Sequence, residues 1–118
     1  MREIKMMAPE SINLIGRSFD ELMAMFYIEV DDDDYYDIIA IRMAVDYTEL
    51  LIYLMNILSG KRLRAALIGL RFVQLTDRIV HTIREYLHHQ DERIVVAALD
   101  TLRQNSPVRW EDISIFLK

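Results

Sequence analysis

The sequence predicts an all-helical protein, and its composition supports this prediction in three ways. The chain has 118 residues, 53% of them hydrophobic, with only three glycines and two prolines. An all-β fold needs many tight turns, which glycine and proline usually supply, and a disordered chain carries fewer apolar residues. Leu, Ile, Ala, Met, Arg and Glu dominate, and most of these residue types favour helices. A chain of this length is expected to form one domain around one core.

The first predicted helix covers residues 10–29. Pro9 suits the first turn of a helix, and Ser11 is a residue type that caps helix N-termini. Apolar residues then recur every three or four positions, at Ile12, Ile15, Phe19, Leu22, Met23 and Phe26. Four aspartates follow, Asp31–Asp34. Their charges repel one another but favour the positive N-terminal end of a helix, so we expect a loop that leads into a helix from about Asp34.

Start and stop signals predict the later elements. Gly60 is a helix stop after Leu58, and the capping residues of the last three helices are Thr76 or Asp77, Asp91, and Ser106 before Pro107. The predicted helical ranges are 34–58 up to that stop, 61–74, 77–88, 94–103 and a short closing helix within 106–118. Gly69 lies inside one of these helices, where it is expected to permit close packing with a neighbour.

An internal repeat of 32 residues is the most specific feature of the sequence. The segment AALIGLR at 65–71 aligns with AALDTLR at 97–103, and five of the seven positions are identical. At the same offset, the apolar face of one preceding helix falls on that of the other: Tyr47, Thr48, Leu51, Leu54 and Met55 on Ile79, Val80, Ile83, Tyr86 and Leu87. A helical pair of this kind must stack on its neighbours to bury its apolar face. Equivalent residues such as Leu67 and Leu99 are therefore predicted to have similar surroundings.

This pattern resembles the HEAT repeat, in which a helical pair recurs and an aspartate at the turn precedes an apolar run. Asp77 to Arg103 looks like one unit and Tyr47 to Arg71 resembles a second; tetratricopeptide and armadillo-type units are the alternatives. The resemblance implies a short right-handed α-α superhelix of about six or seven helices that binds other macromolecules and has no catalytic role. The implied units are a degenerate first repeat at 10–45 with the acidic loop, repeats at 46–75 and 76–104, and a closing helix at 106–118.

The sequence offers no pattern that predicts catalysis, a metal or a cofactor. It has no cysteine, and its isolated glycines form no phosphate-binding loop. His81, Glu85 and His88 share one helical stripe and could in principle face a zinc ion. That stripe lies opposite the apolar face and offers fewer than four ligands, so we predict a solvated surface. The His88 and His89 pair is then the end of a helix, where positive charge is favoured.

Charge is unevenly distributed along the chain. Residues 1–46 contain eleven acidic and four basic residues, a net charge of −7, whereas residues 47–118 contain eight acidic and ten basic residues, a net charge of +2. The second helices of helical-pair stacks usually line the inner surface, where partners bind. We therefore predict a partner-binding basic ridge, formed by Lys61, Arg64, Arg71, Arg93 and Arg103. A protein partner is expected, and nucleic acid is not, because the chain is acidic overall.

The acidic segment supports an alternative function. Asp31, Asp32, Asp33 and Asp34 are followed by Tyr35 and Tyr36, and such a cluster can dock on a basic surface. In this alternative the protein is an inhibitor or immunity-type protein, whose acidic loop covers a basic site on a nuclease or toxin.

The remaining expectations concern the environment of the protein. The longest apolar runs are interrupted by charged residues such as Arg42 and Asp46 before they could span a membrane, and the N-terminal residues do not resemble a secretory signal. No membrane association and a cytoplasmic location are therefore expected. A homodimer through the apolar ends is also expected, with Met6, Met7 and Ile12 at one end and Trp110, Ile115 and Phe116 at the other.

Overall fold

The computed structural model describes Leu14 and residues 16–105, which form six α-helices and no strand. The prediction of an all-α fold is therefore confirmed. The predicted closing helix within 106–118 and the apolar ends lie outside the described residues. The helices are α1 Phe19–Phe26, α2 Asp33–Asp46, α3 Thr48–Leu54, α4 Gly60–Gly69, α5 Asp77–Glu85 and α6 Glu92–Arg103, with 3-10 turns at Leu70–Phe72 and Tyr86–His88.

The predicted caps of α5 and α6 are confirmed. The hydroxyl of Thr76 accepts a hydrogen bond from the Ile79 amide at 3.3 Å, and the Asp91 carboxylate accepts one from the Arg93 amide at 2.9 Å. Such bonds satisfy backbone donors that have no partner inside the helix. The helix predicted to begin near Asp34 is also present, because the Asp32 carboxylate caps α2 by accepting from the Asp34 amide.

The first helix begins later than the sequence predicts. Gly16 has a φ of +75°, and Ser18 is the N-cap of α1. The Ser18 hydroxyl accepts from the Glu21 amide at 3.1 Å, and the Glu21 carboxylate accepts from the Ser18 amide at 2.8 Å. This capping box ends any helical continuity with the residues before it, so one helix over 10–29 is wrong. The predicted start at Pro9 and Ser11 lies outside the described residues.

The stretch predicted as helical over 34–58 is divided at Tyr47, whose φ of −139° and ψ of 49° are not helical. The Tyr47 hydroxyl donates to the Arg17 carbonyl at 2.8 Å, and its ring meets Phe19 edge-on at 5.6 Å. These contacts hold the break between α2 and α3 against the start of α1. Helix α3 ends at Leu54, and hydrogen bonds of the turn type continue to Leu58.

Helices α2, α4 and α6 lie side by side, with α4 between the other two. The backbones of α2 and α4 approach closely at Gly69, where an added Cβ would lie 2.6 Å from the Ala40 carbonyl oxygen. On the other side of α4, the buried hydroxyl of Thr101 donates to the Leu67 carbonyl at 2.7 Å. The side-chain amide of Asn105 donates to the Arg71 and Val73 carbonyls, and so provides hydrogen-bond donors for backbone carbonyls that follow α4.

Side-chain contacts also join the first helices of the successive pairs. The Arg78 guanidinium of α5 forms an ion pair with Glu49 of α3, and the Tyr86 hydroxyl donates to the Met55 carbonyl at 3.4 Å. These two contacts link α3 and the turn after it to α5 and the 3-10 turn that follows it.

The two repeat segments agree in their small residues but not in their leucines. Ala66 and Ala98 are both completely buried, and Gly69 and its equivalent Thr101 are also buried. Leu67, however, is 0% exposed, whereas Leu99 is 40% exposed. The prediction of similar surroundings for these two leucines is wrong. The reason is position in the row, since α4 has a helix on each side and α6 packs mainly on α4 and α5.

Candidate functional site

A groove between α4 and α6 brings together residues from two separated parts of the sequence. We call it the α4–α6 groove; its volume is about 330 Å³. Its lining residues are Arg64, Ile68 and Arg71 on the α4 side, and Glu92, Arg93, Val96, Ala97 and Asp100 on the α6 side. Three of the five basic residues predicted to form a partner-binding ridge thus share one concavity.

Helical spacing explains how α4 supplies both core and groove. Arg64, Ile68 and Arg71 are four and three residues apart, so they fall on one stripe of the helix and its following turn. Leu63 and Leu67 lie on another side and are buried. The arginine side chains of this segment therefore line the groove, while its leucine side chains pack in the core.

A carboxylate from α2 lies behind the groove arginines. The Asp37 Oδ1 atom is 3.9 Å from Arg64 Nη1, beyond hydrogen-bond distance, and it is buried without a hydrogen-bond partner among the described residues. Within the same part of the chain, the buried Arg71 Nε atom also has no hydrogen-bond partner. Burial raises the pKa of Asp37 because it disfavours the charged carboxylate, and the positive charge of Arg64 only partly offsets this effect. Within the described part of the chain, Arg64 therefore has no hydrogen-bonded carboxylate, and the Nε atom of Arg71 has no hydrogen-bond acceptor.

The substitution Asp37→Asn is expected to stabilise the protein at neutral pH. The raised pKa of Asp37 lies above its ordinary value of 3.8, so the folded state holds the proton more tightly than the unfolded state. The wild type therefore loses stability from this group as the pH rises from below 3.8 through the raised pKa. Asparagine keeps the shape and removes the charge, so we expect a gain on the order of 1 kcal/mol at pH 7. Urea unfolding at several pH values measures it.

The gain from Asp37→Asn should shrink as the pH falls toward 3, where the wild-type carboxyl group becomes neutral. A variant that is less stable than the wild type at pH 7, or whose effect is the same at every pH, would show that the charged form of Asp37 is well accommodated in the folded protein.

Two residues of the predicted basic ridge lie outside the groove. The Lys61 ammonium group forms an ion pair with Glu29 at 2.9 Å and lies 4.8 Å from the centre of the Tyr36 ring. It therefore ties the start of α4 to the loop after α1. Arg103 is exposed at the end of α6 and does not line the groove. The expectation that all five basic residues form one ridge is corrected to a cluster of Arg64, Arg71 and Arg93.

The acidic segment divides into exposed and buried parts. Asp31, Asp32, Asp33 and Asp34 are exposed at the N-terminal end of α2. Tyr35 and Tyr36 are instead buried, with 4% and 0% exposure. Their hydroxyls donate to the carbonyls of Met25 and Ile28, at 2.7 and 2.8 Å, and Tyr36 also accepts from the Val30 amide. Both tyrosines therefore hold the loop between α1 and α2 in place, and their predicted role in contacting a partner is corrected.

The acidic end of α2 lies beside the basic groove. Arg93 has a raised pKa, mainly because its side chain hydrogen-bonds to Asp91, and the negative charge of Asp33 adds to the effect. Asp33 and Asp34 also contribute to the raised pKa of Asp37. The acidic end of α2 and the groove residues, which are far apart in the sequence, are therefore close enough for their charges to influence one another.

A second concavity was missed by the sequence reasoning. It has a volume of about 290 Å³ between α1 and α3, and apart from Asn56 its lining is made of hydrophobic residues: Phe19, Met23, Leu50, Tyr53, Leu54 and Ile57. Tyr53 is 78% exposed and Ile57 76% exposed. The available signal was the run LLIYLMNIL at 50–58, which is apolar on all sides although only one face packs inward.

The histidine stripe has the surroundings expected of a solvated helix face. His81 Nε2 lies 3.6 Å from Glu85 Oε2, and both side chains are well exposed. Within 16–105, no group of three or more His, Asp or Glu side chains is arranged to hold a metal ion. His89 has a local role, because its Nδ1 accepts a hydrogen bond from the Asp91 amide at 3.0 Å and shapes the turn before α6.

Comparison with protein-family models, with curated proteins and with solved structures finds no match to this chain. Among the described helices, none has the length and apolar character needed to cross a membrane. The six described helices define the class of protein as an all-α domain.

Proposed function

We propose that this protein is a non-catalytic interaction module that binds a protein partner in the α4–α6 groove. The order of the helices along the chain gives three successive pairs, α1 with α2, α3 with α4 and α5 with α6, as a HEAT-like arrangement would require. In such an array the second helices lie side by side and present a shared surface to the partner. The row formed by α2, α4 and α6 fits this description.

The observation that carries the proposal is the composition of the groove. Arg64, Arg71 and Arg93 surround an apolar floor that includes Ile68 and Val96. Arginine is enriched in protein interfaces, where its planar guanidinium forms directional hydrogen bonds and its stem covers apolar surface. Val96 is 50% exposed, so the floor offers apolar area that a partner can cover. A cytoplasmic scaffold or adaptor is the corresponding biological role.

The second candidate function is inhibition of a basic enzyme or toxin by the acidic segment. The exposure of Asp31–Asp34 favours it, because clustered carboxylates accelerate association with a basic partner. The burial of Tyr35 and Tyr36 removes their aromatic rings from this surface, so the contact would be mainly electrostatic.

Partner capture with three variants tests both candidates. The first replaces Arg64 and Arg71 with glutamine, the second replaces Asp31–Asp34 with asparagine, and the third is a matched control that replaces Arg84 and Arg103 with glutamine outside the groove. Captured proteins are identified by mass spectrometry, and binding is then measured with each purified partner. Circular dichroism confirms that every variant is folded.

We expect the groove variant to weaken partner binding at least tenfold and the control to change it less than twofold. Loss confined to the aspartate variant would favour the inhibitor instead. A purified partner that binds all three variants equally would contradict both candidates.

A further inference from the structure

Building on the proposed function, we infer that the α4–α6 groove recognises an extended acidic segment, with two carboxylates three residues apart on either side of an apolar side chain. The carboxylates meet Arg64 and Arg71, and the apolar side chain between them turns toward Val96. This inference specifies the chemistry of the partner, whereas the proposed function specifies only where a partner binds.

The spacing follows from the positions of the two arginines. Arg64 and Arg71 are seven residues apart along α4 and the 3-10 turn after it, which places their Cα atoms about 10 to 12 Å apart. An extended chain advances about 3.1 to 3.3 Å per residue, so three residues cover nearly the same distance. In a polyproline II conformation the first and fourth side chains also point to the same side. Acidic residues at these two positions can therefore face both arginines.

The three guanidinium groups of the groove differ in how many hydrogen bonds or ion pairs they already form with the protein. Arg93 is hydrogen-bonded to Asp91 at 3.2 Å, whereas the one acidic partner of Arg64 within the described residues is the more distant Asp37 carboxylate, at 3.9 Å. The Arg71 guanidinium forms no hydrogen bond with a described residue, and its Nε atom is buried. A carboxylate binds such a fork through two parallel hydrogen bonds. Arg71 is consequently the stronger anchor, and Arg64 the second.

The opposite side of the groove sets the orientation of the segment. Glu92 and Asp100 belong to α6 and would repel carboxylates placed on that side. The acidic edge of the segment must therefore face α4. Between the two arginines, Ile68 and the half-exposed Val96 provide an apolar surface, and a volume of about 330 Å³ accommodates one leucine-sized side chain together with its backbone.

The carboxylates of α2 limit which anions can bind. Asp37 lies close to Arg64 and its charge competes with that of the ligand, and Asp33 and Asp34 lie beyond it. A densely charged polyanion such as single-stranded RNA would bring phosphates close to all three. A peptide with two separated carboxylates experiences less repulsion, because only the carboxylate that meets Arg64 lies near Asp37. Removal of the Asp37 charge should therefore strengthen binding, an effect that a damaged or unfolded variant could not produce.

The experiment uses a fluorescein-labelled proline-rich peptide with glutamates at its first and fourth positions and a leucine between them. Fluorescence anisotropy measures its dissociation constant for the full chain at low salt. A peptide of the same composition with adjacent glutamates, a glutamine version and a uridine oligonucleotide are the comparison probes. We expect the designed peptide to bind at least fivefold more tightly than each of them.

The protein variants test the assigned anchors. Arg71→Gln should weaken binding of the designed peptide about tenfold and Arg64→Gln somewhat less, whereas Asp37→Asn should strengthen it about threefold. Arg84→Gln, on α5, is the matched control and should leave binding within twofold. Equal binding of all probes, or no effect of Arg71→Gln, would overturn the inference, and preferred binding of the oligonucleotide would point to nucleic acid instead.

An unbiased selection separates this inference from the proposed function. Random peptides displayed on phage are selected against the wild type, and NMR shifts show whether they bind near Ile68 and Val96. Selected peptides that occupy the groove without acidic residues would overturn the acidic-segment inference but leave the proposed function intact. If neither selected nor designed peptides shift these signals, both are wrong.

Discussion

Replacing Gly69 with alanine is expected to lower the free energy of unfolding by about 2 to 3 kcal/mol. The new Cβ would lie 2.6 Å from the Ala40 carbonyl oxygen and 2.9 Å from its carbonyl carbon, so the backbones of α2 and α4 would have to separate. An alanine inside a helix normally adds about 1 kcal/mol of stability relative to glycine, and the steric cost must exceed this gain. Urea unfolding followed by circular dichroism measures the change.

Gly60→Ala is the matched control for this substitution. Gly60 has a φ of +58°, but an added Cβ would meet nothing within 4 Å. Its expected cost is therefore only the strain of a left-handed backbone, about 1 kcal/mol. A Gly69→Ala protein that is as stable as the wild type, or more stable, would contradict the close approach of α2 and α4.

The largest contrast between equivalent repeat positions is expected at Leu67 and Leu99. Leu67→Ala removes a completely buried side chain of α4, the helix that has α2 on one side and α6 on the other, and a cost of about 3 kcal/mol is typical of such a cavity. Leu99 is 40% exposed, so Leu99→Ala should cost less than about 1 kcal/mol. Parallel denaturant unfolding of the two variants measures both values.

The Leu67 and Leu99 pair also tests the architecture. The two residues are 32 positions apart and occupy the same place in AALIGLR and AALDTLR. Similar losses of stability in both variants would mean that the outer side of α6 is covered in solution, as in the middle of a longer row of helices. A large difference would show that α6 is at the edge of the row.

The proposed function is expected to be sensitive to substitutions in α2, because carboxylates of α2 lie near the groove arginines. The groove arginines contact the partner in our proposal, while Asp37 and Asp33 moderate their charge from α2. A substitution in α2 can therefore alter binding without touching the groove itself. The apolar concavity between α1 and α3 lies on different helices and has no part in the proposed function.

Much of the helical organisation could be predicted because it depends on local interactions. Thr76 and Asp91 cap their helices through hydrogen bonds that span two or three residues, and such bonds leave a clear signal in the sequence. The buried sides of α4 and α6 were likewise visible in the shared Ala-Ala pairs. Ser18 was overlooked as a cap because the apolar spacing continues across it, although Glu21 completes a recognisable capping box.

The candidate site was predicted only in part, since it depends on contacts between helices. Arg64, Arg71 and Arg93 were identified from their charges, but nothing in the order of residues showed that Lys61 would pair with Glu29 instead. Tyr35 and Tyr36 were assigned to the surface because they follow four aspartates, yet their rings fill the core. The first turn of a helix contains too few residues to show from the sequence which of its side chains face the core and which face solvent.

The sequence by itself determined that the chain is helical, where several helices begin, and which residue types supply its basic and acidic charge. Only the tertiary structure decided that the acidic end of α2 borders the basic groove, and that Leu67 is enclosed while Leu99 is not. The physical reason is that capping and helical periodicity act over a few residues. Burial and electrostatic environment depend instead on which helices become neighbours. In this protein, the contacts between neighbouring helices join residues about 30 positions apart.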